Sequence, residues 1–421
     1  MSSLHSGQRR FSVKMTEQRH GVFQLFAVPG SRSEAEERIQ LERSLATRLA
    51  MSSLSDAVSV VESKECLCDE IFATLTEWVR RKPSFWSREI GHLWRAVHYR
   101  DTDAIVGSLI DLAIQASVAG VPASLEFGLP KPTSLRLQSV VLDSVQSGCI
   151  ECKDGTLVGS FYLANDHITV EVQDGQRCMW RSLKSRERPL PAPSFSVLHD
   201  QFRLIPSLLA SLDLLPEHGR VESEYDNGLV ESGVVPSASA LRLLHRYWSE
   251  GYEWVSTVVR EIIPLRSRNG GAGSTSSFWD CGTIAATLGT RQNPILLAEM
   301  LVHEASHQHF FLAKQLGPLE DGSDATEYFS PMVNAFRSLE KMLLGYHALI
   351  NMLKFYEKVS ADCSHDSEQF LSARVSYLFE KLDLIGTAIS RSTAFTPGGS
   401  CMFQRLREEE HLLRADFARW T

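Results

Sequence analysis

The spacing of apolar side chains changes along the chain and divides it into segments. Between residues 33 and 120, apolar positions recur every three or four residues, which predicts helices over about 35–54, 70–80 and 85–99. Between residues 121 and 200, short runs alternate apolar with polar side chains, and Asp154-Gly155 and Asp174-Gly175 fall between these runs. That pattern is typical of β-hairpins. The middle of the chain is therefore expected to be rich in β-structure.

The second half returns to helical spacing. We expect a long amphipathic helix over 237–263 with Ser237 as its N-cap, and a short strand over 281–288. Further helices are expected over 293–317, 331–356, 368–382 and 398–417. A Gly/Ser-rich segment, 269–277, and an acidic segment, 318–326, read as loops.

Two segments of the first half, at residues 1–32 and 181–193, show neither the helical nor the strand pattern. Residues 1–32 form a polar, basic lead that we expect to be disordered, without the apolar core of a secretory signal. The proline-rich segment 181–193 reads as a stiff linker. We divide the chain into a lead (1–32), a helical region (33–120), a β-rich region (121–200) and a C-terminal part (201–421).

Composition narrows the class of protein. The formal net charge of −8 over 421 residues argues against nucleic-acid binding, which requires a basic surface. No apolar run is long enough to span a bilayer, so we expect a cytoplasmic protein without a membrane partner. Eight scattered cysteines suit reduced thiols. The pairs Cys149/Cys152 and Cys66/Cys68 have no matching second pair that would complete a zinc site.

The strongest chemical signal is an HExxH motif, formed by His303, Glu304 and His307. Residues four apart share one face of a helix, so both imidazoles can bind one divalent metal with the carboxylate beside them. The segment just before the motif is apolar, so the helix is expected to be buried. A buried His-Glu-His triplet then needs a partner to offset its desolvation, and a metal supplies one. We therefore predict an α+β fold, mainly helical, with residues 201–421 as a helical HExxH metal domain.

Two histidines leave a metal short of ligands. The extended metzincin pattern is excluded, because Phe310 and Ala313 stand where its glycine and third histidine would be. The helix expected over 331–356 offers His347 and Glu340. We favour His347, in an apolar setting, and expect its imidazole within roughly 3 to 4 Å of the motif nitrogens. The remaining alternatives for the third ligand are carboxylates: Glu340, Glu327 and Glu320.

Several blocks in order resemble one known family. They are LAEMLVHEASH at 297–307, YFSP at 328–331, Arg337, and GYHA at 345–348. They resemble the HExxH-motif family of peptide-modification proteins from ribosomal-peptide gene clusters. The similarity extends to 239–244 and 396–399 and covers roughly the last 185 residues. The first half shows no resemblance.

The resemblance implies an Fe(II)- and 2-oxoglutarate-dependent oxygenase that hydroxylates the β-carbon of residues in a precursor peptide. It implies that His303 and His307 ligate Fe(II) and that Arg337 pairs with a carboxylate of 2-oxoglutarate or of the substrate. The chain departs from the family at Leu344, where a histidine often stands, and His347 occupies an aromatic position. Arg337 and His347 would also lie about 15 Å apart on a straight helix. Either the helix bends or Arg337 serves the peptide.

Two other interpretations stay open. The first is a zinc metallopeptidase in which Glu304 acts as general base towards a metal-bound water. The second, which we rank last, is a non-catalytic binding protein with a structural triplet.

Overall fold

The computed structural model is mainly helical with smaller β-sheets, which confirms the expected α+β class. It describes residues 21–61, 69–81, 86–137, 140–153, 156–163, 167–173, 177–182, 190–191, 195–197, 202–204, 227–265, 273–287, 293–361 and 365–418. The helices are a 3₁₀ turn at Gly21–Phe26, then α1 Arg32–Val61, α2 Asp69–Arg81, α3 Arg88–Tyr99, α4 Thr102–Val118, α5 Asn227–Tyr247, α6 Ser249–Val258, α7 Pro294–Ala313, α8 Leu339–Ser360, α9 His365–Ile389 and α10 Pro397–Asp416.

The strands are β1 Ala123–Leu137, β2 Val140–Lys153, β3 Thr156–Leu163, β4 His167–Gln173, β5 Arg177–Ser182, β6 Leu190–Pro191, β7 Phe195–Val197, β8 Phe202–Leu204, β9 Glu261–Leu265, β10 Ser274–Ser276, β11 Thr283–Thr287, β12 Tyr328–Ser330 and β13 Ala335–Arg337.

The β-rich region forms the antiparallel order β1-β2-β3-β4-β5, with β6 paired to β2. The expected hairpins are present, because β2 pairs with β3 and β4 pairs with β5. The two Asp-Gly turns themselves lie outside the described residues. Cys149 is exposed and Cys152 is buried, since residues three apart point to opposite faces of a strand. These two thiols therefore do not share a site. Cys66 and Cys68 lie outside the described residues.

A second sheet has the order β10-β11-β9-β8-β7 and places β10 at its edge, where it packs against α7. The expected strand at 281–288 is confirmed as β11. In the segment expected to be a linker, Arg181 and Ser182 belong to β5, and Leu190–Pro191 pairs with β2. The rest of that segment, apart from these residues, lies outside the described part of the chain.

The helix expected over 237–263 is divided. Helix α5 ends at Tyr247, Trp248 adopts a non-helical conformation, and α6 continues only to Val258 before β9 begins. The interruption buries the Trp248 ring against Gly251, where an added Cβ would lie 2.1 Å from the ring. Ser237 is a buried position inside α5 and not its N-cap.

The helix expected over 331–356 begins later. Residues 328–337 form the hairpin β12–β13, whose turn includes Asn334 at a positive φ of 52°. Asparagine tolerates this conformation better than most residues. Helix α8 starts at Leu339, so Arg337 lies on a strand and not on the helix.

The N-terminal lead is shorter than expected. Residues 1–20 lie outside the described part, but Phe23 and Phe26 are buried, and α1 already begins at Arg32. One continuous hydrophobic core runs from Phe23 to Phe417 and includes side chains of both halves. None of the described helices has an apolar stretch long enough to cross a bilayer.

Candidate metal centre

Helix α7 is buried along most of its length and reaches the surface at the motif. Its N-terminus is fixed by Asn293, whose side chain accepts a hydrogen bond of 2.9 Å from the Ile295 amide. Every residue from 297 to 313 is buried except His303 and His307. Their side chains are 22% and 17% exposed. A ligand from solvent can thus reach this stretch of the helix at the two imidazoles.

The two imidazoles and the Glu304 carboxylate form one cluster of ligand atoms. One atom from each lies within 4.8 Å of the others. His303 Nε2 is 3.8 Å from Glu304 Oε1, and His307 Nδ1 is 3.3 Å from Glu304 Oε2. Two nitrogens and one carboxylate oxygen are a donor set for Fe(II) or Zn²⁺. Among the described residues, this is the group that could hold a metal ion.

Strand β10 orients two of these three side chains. Ser274 Oγ donates a hydrogen bond of 2.6 Å to Glu304 Oε1, and Ser276 Oγ lies 3.3 Å from His307 Nδ1. Because Nδ1 of His307 contacts Ser276 Oγ and Glu304 Oε2, the nitrogen of His307 that is available to an ion is Nε2. Such contacts behind a ligand fix its orientation and its tautomer.

The electrostatics favour the protonation states that bind a metal. Burial, and next the neighbouring His307, lower the pKa of His303 to about 4. Burial alone would raise the pKa of Glu304, but His303, His307 and Ser274 outweigh it and lower that pKa to about 2. At neutral pH the group therefore holds an uncharged His303 and an ionised Glu304, ready to act as ligands.

A second polar cluster lies one helical turn before the motif. Glu299 is buried and accepts hydrogen bonds from the Tyr356 hydroxyl and from both Nε and Nη2 of Arg374, the Nε bond being 2.9 Å long. The Arg374 guanidinium also lies over the Tyr377 ring, 4.9 Å from its centroid. Glu299 and His303 are four residues apart, so they stack on one face of α7. The charges of Glu299 and Arg374 both act on the His303 pKa.

His347 lies outside the ligand cluster. Its buried ring contacts Trp254 and Phe310, with ring centroids 6.2 and 6.1 Å away, and neither ring nitrogen makes a hydrogen bond. Burial, and next His309, lower the pKa of His347 to about 3. His309 stacks on Trp254, and residues two apart on a helix point about 160° away from each other. His347 therefore packs among Trp254, His309 and Phe310, and the described ligand group has Glu304, not His347, beside the two imidazoles.

The alternative carboxylate ligands are also placed elsewhere. Glu340 forms an ion pair of 2.8 Å with Lys314. Glu320 pairs through its backbone with Phe395, and Glu327 is exposed in the loop before β12. None of the three belongs to the described ligand cluster.

Arg337 is exposed at the end of β13. Burial lowers the pKa of the nearby Lys341, and the charges of Lys314 and Arg337 lower it further. The Lys314–Glu340 ion pair lies at the same end of α8. Arg337 therefore belongs to a charged group at the start of α8 that also contains Lys314, Glu340 and Lys341.

The N-terminal helices support the metal-bearing helix from behind. Gln308, next to His307, accepts hydrogen bonds from Trp86 Nε1 at 2.8 Å and from the Gly282 amide at 3.0 Å. His309 Nδ1 lies 2.8 Å from the Glu42 carboxylate. The position of the motif thus depends on contacts from the first hundred residues.

Sequence reasoning missed five polar residues around the cluster. Glu299 carries a usable signal, because an acidic residue one turn before a motif histidine interrupts an apolar helix face. Ser274 and Ser276 alternate as in a strand but stand in a segment read as a loop. No local signal marks the two remaining residues, Tyr356 and Arg374.

Comparison with models of known protein families finds none that matches this chain, and comparison with curated proteins finds no match either. The family resemblance rests on the ordered motifs alone.

Proposed function

We propose that this chain is a cytoplasmic Fe(II)- and 2-oxoglutarate-dependent oxygenase that hydroxylates the β-carbon of a side chain in a ribosomally made precursor peptide. The observation that carries the proposal is the grouping of His303, Glu304 and His307. Two imidazoles and one carboxylate, with further positions left open, form the ligand set of many ferrous oxygenases. The ordered motifs at 297–307, 328–331 and 345–348 point to the same class of enzyme.

A divalent cation fits this group on its own chemistry. Glu304 is fully buried and ionised, and its Oε2 lies 3.3 Å from His307 Nδ1. A buried ionised carboxylate is costly in a protein interior unless a positive charge lies beside it, and a bound cation would supply that charge. His303 Nε2 and His307 Nε2 would provide the remaining protein ligands.

The surrounding residues would hold that centre in one arrangement. Ser274 directs Glu304, and Ser276 directs His307. The buried helix excludes water from all sides except the one on which the imidazoles reach the surface. A bound ferrous ion with a 2-oxo acid and dioxygen supplies the oxidising chemistry, in which a C–H bond becomes C–OH while 2-oxoglutarate becomes succinate and carbon dioxide.

The competing assignment is a zinc metallopeptidase, because the same motif places Glu304 beside the metal. The neighbouring imidazoles lower the pKa of Glu304, and the Ser274 hydroxyl donates a hydrogen bond to its Oε1. An oxygen that already accepts this hydrogen bond is poorly placed to take a proton from a metal-bound water, so the contact favours the use of Glu304 as a ligand.

One experiment separates the two functions. The protein is purified without oxygen, its iron and zinc contents are measured, and 2-oxoglutarate is titrated calorimetrically into the Fe(II)-loaded and Zn²⁺-loaded forms. Binding to the iron form, followed by succinate formation when oxygen and a peptide are added, is the expected result. Peptide cleavage by the zinc form with no requirement for a 2-oxo acid would overturn the proposal.

A further inference from the structure

We propose that Arg374 forms a carboxylate-binding subsite one helical turn from the metal centre, which takes the second carboxylate of a 2-oxo diacid. This inference rests on the proposed function, because the first carboxylate and the oxo group would lie on the metal. It assigns to Arg374 the role that the family resemblance suggests for Arg337.

The position of Arg374 follows from Glu299. Glu299 is 4% exposed and lies four residues before His303, so the two side chains stack about 6 Å apart. Arg374 binds Glu299 through Nε and Nη2. The guanidinium is thus held within about one helical turn of a metal ligand.

The unused face of Arg374 is accessible. A guanidinium has five N–H donors, and the described bonds to Glu299 use Nε and Nη2 but not Nη1. The Arg374 side chain is 30% exposed, and that of His303 is 22% exposed. Solvent therefore reaches both side chains.

The spacing suits a short dicarboxylic acid. The terminal carbons of an extended five-carbon diacid are separated by four carbon–carbon bonds, or about 5 Å. This length is close to the rise of about 6 Å between Glu299 and His303, which are four residues apart on α7. An acid that chelates an ion at His303 would extend its other carboxylate towards Arg374.

Glu299 and Tyr356 would act as positioning residues. Glu299 fixes the plane of the guanidinium by two parallel hydrogen bonds, and the Tyr356 hydroxyl donates to the same carboxylate. The Tyr377 ring packs on the guanidinium, 4.9 Å from it. A planar group held in this way presents its remaining donors as a preformed fork for a carboxylate.

The test compares two acids and three variants of the full chain. Fe(II)-loaded protein is titrated anaerobically with 2-oxoglutarate and with 2-oxobutyrate, which chelates in the same way but lacks the second carboxylate. We expect Arg374→Gln to weaken 2-oxoglutarate binding roughly 10- to 100-fold and 2-oxobutyrate binding by less than about threefold. Arg337→Gln, the competing assignment, should leave both affinities unchanged.

A double variant guards against loss of the fold. Arg374→Gln alone leaves the buried Glu299 charge unpaired, so Glu299→Gln with Arg374→Gln removes both charges together. This double variant should keep its iron content and circular dichroism and still lose 2-oxoglutarate affinity. An equal loss for both acids in Arg374→Gln would overturn the subsite, and so would a selective loss in Arg337→Gln. If the unaltered iron protein binds neither acid, the proposed function itself fails.

Discussion

Removing the Ser274 hydroxyl tests whether β10 positions the metal ligands. Ser274 Oγ donates to Glu304 Oε1 over 2.6 Å, and Glu304 is fully buried. A hydrogen bond to a charged group contributes about 1.5–3 kcal/mol. Ser274→Ala should therefore lower the free energy of unfolding of the metal-free protein by about that amount, since the carboxylate oxygen loses its partner.

The same substitution should weaken metal binding. Loss of a residue that orients a ligand typically lowers metal affinity about 10- to 100-fold. We expect a change in this range when Co²⁺ is titrated against a chromophoric chelator, with urea unfolding measured in parallel. The assay needs no substrate, so it does not depend on the assigned reaction.

Ser276→Ala is the matched control on the same strand. Ser276 Oγ is 3.3 Å from His307 Nδ1, and that nitrogen keeps its contact of 3.3 Å with Glu304. The loss of this longer hydrogen bond, which involves no carboxylate, should lower metal affinity less than the loss of the Ser274 bond does. The reasoning is refuted if Ser274→Ala leaves metal affinity unchanged, or if both alanine variants lose affinity equally.

Three further variants test the site. His303→Ala with His307→Ala should abolish stoichiometric metal binding without changing the circular dichroism spectrum, and full occupancy in this double variant would contradict the metal site. Glu304→Gln should lower metal affinity in the same chelator competition, because the cluster uses this carboxylate as a ligand. Any activity should fall with it. His347→Phe should retain bound metal; a loss equal to that of the motif variants would restore His347 as a ligand. The same variant tests a pH effect, because the pKa of His347 is about 3 in the folded protein and near 6.5 in the unfolded chain. As the pH falls below 6.5, the unfolded chain takes up a proton at His347 that the folded protein does not, and this lowers the free energy of unfolding by about 3 kcal/mol at pH 4. Urea unfolding of His347→Phe should lack this contribution to the loss of stability at low pH.

Local patterns predicted the parts of the fold that depend on local interactions. The strands β2–β3 and β4–β5 follow from alternation and turn residues, and α7 follows from its apolar pattern. The break at Trp248 was missed because it depends on packing of that ring against Gly251, and helical periodicity continues through it. The strand-turn-strand before α8 was missed because a Pro-Met-Val-Asn turn resembles the start of a helix.

In the metal site, too, the sequence predicted the residues that are neighbours on one helix and missed those that only the tertiary fold brings close. His303, Glu304 and His307 are neighbours on one helix, so the sequence alone brings them together. The third-ligand prediction depended on how α8 lies against α7, which residue spacing within α8 does not determine. The contacts of Ser274 and Arg374 join elements that are 30 and 75 residues apart in sequence, so they emerge only with the tertiary fold.

The hydrogen bonds that Gln308 accepts from Trp86 and Gly282 have a consequence for expressing fragments of this protein. A fragment that begins at residue 201 would contain the whole motif helix and every proposed ligand. It would lack Trp86 and Glu42, so the buried amide of Gln308 and the ring of His309 would each lose a partner beside the motif. Such a fragment should be insoluble or metal-free when expressed alone, and co-expression of residues 1–200 as a separate chain should restore it. The front half would then be a structural part of the metal-binding unit and not an independent domain.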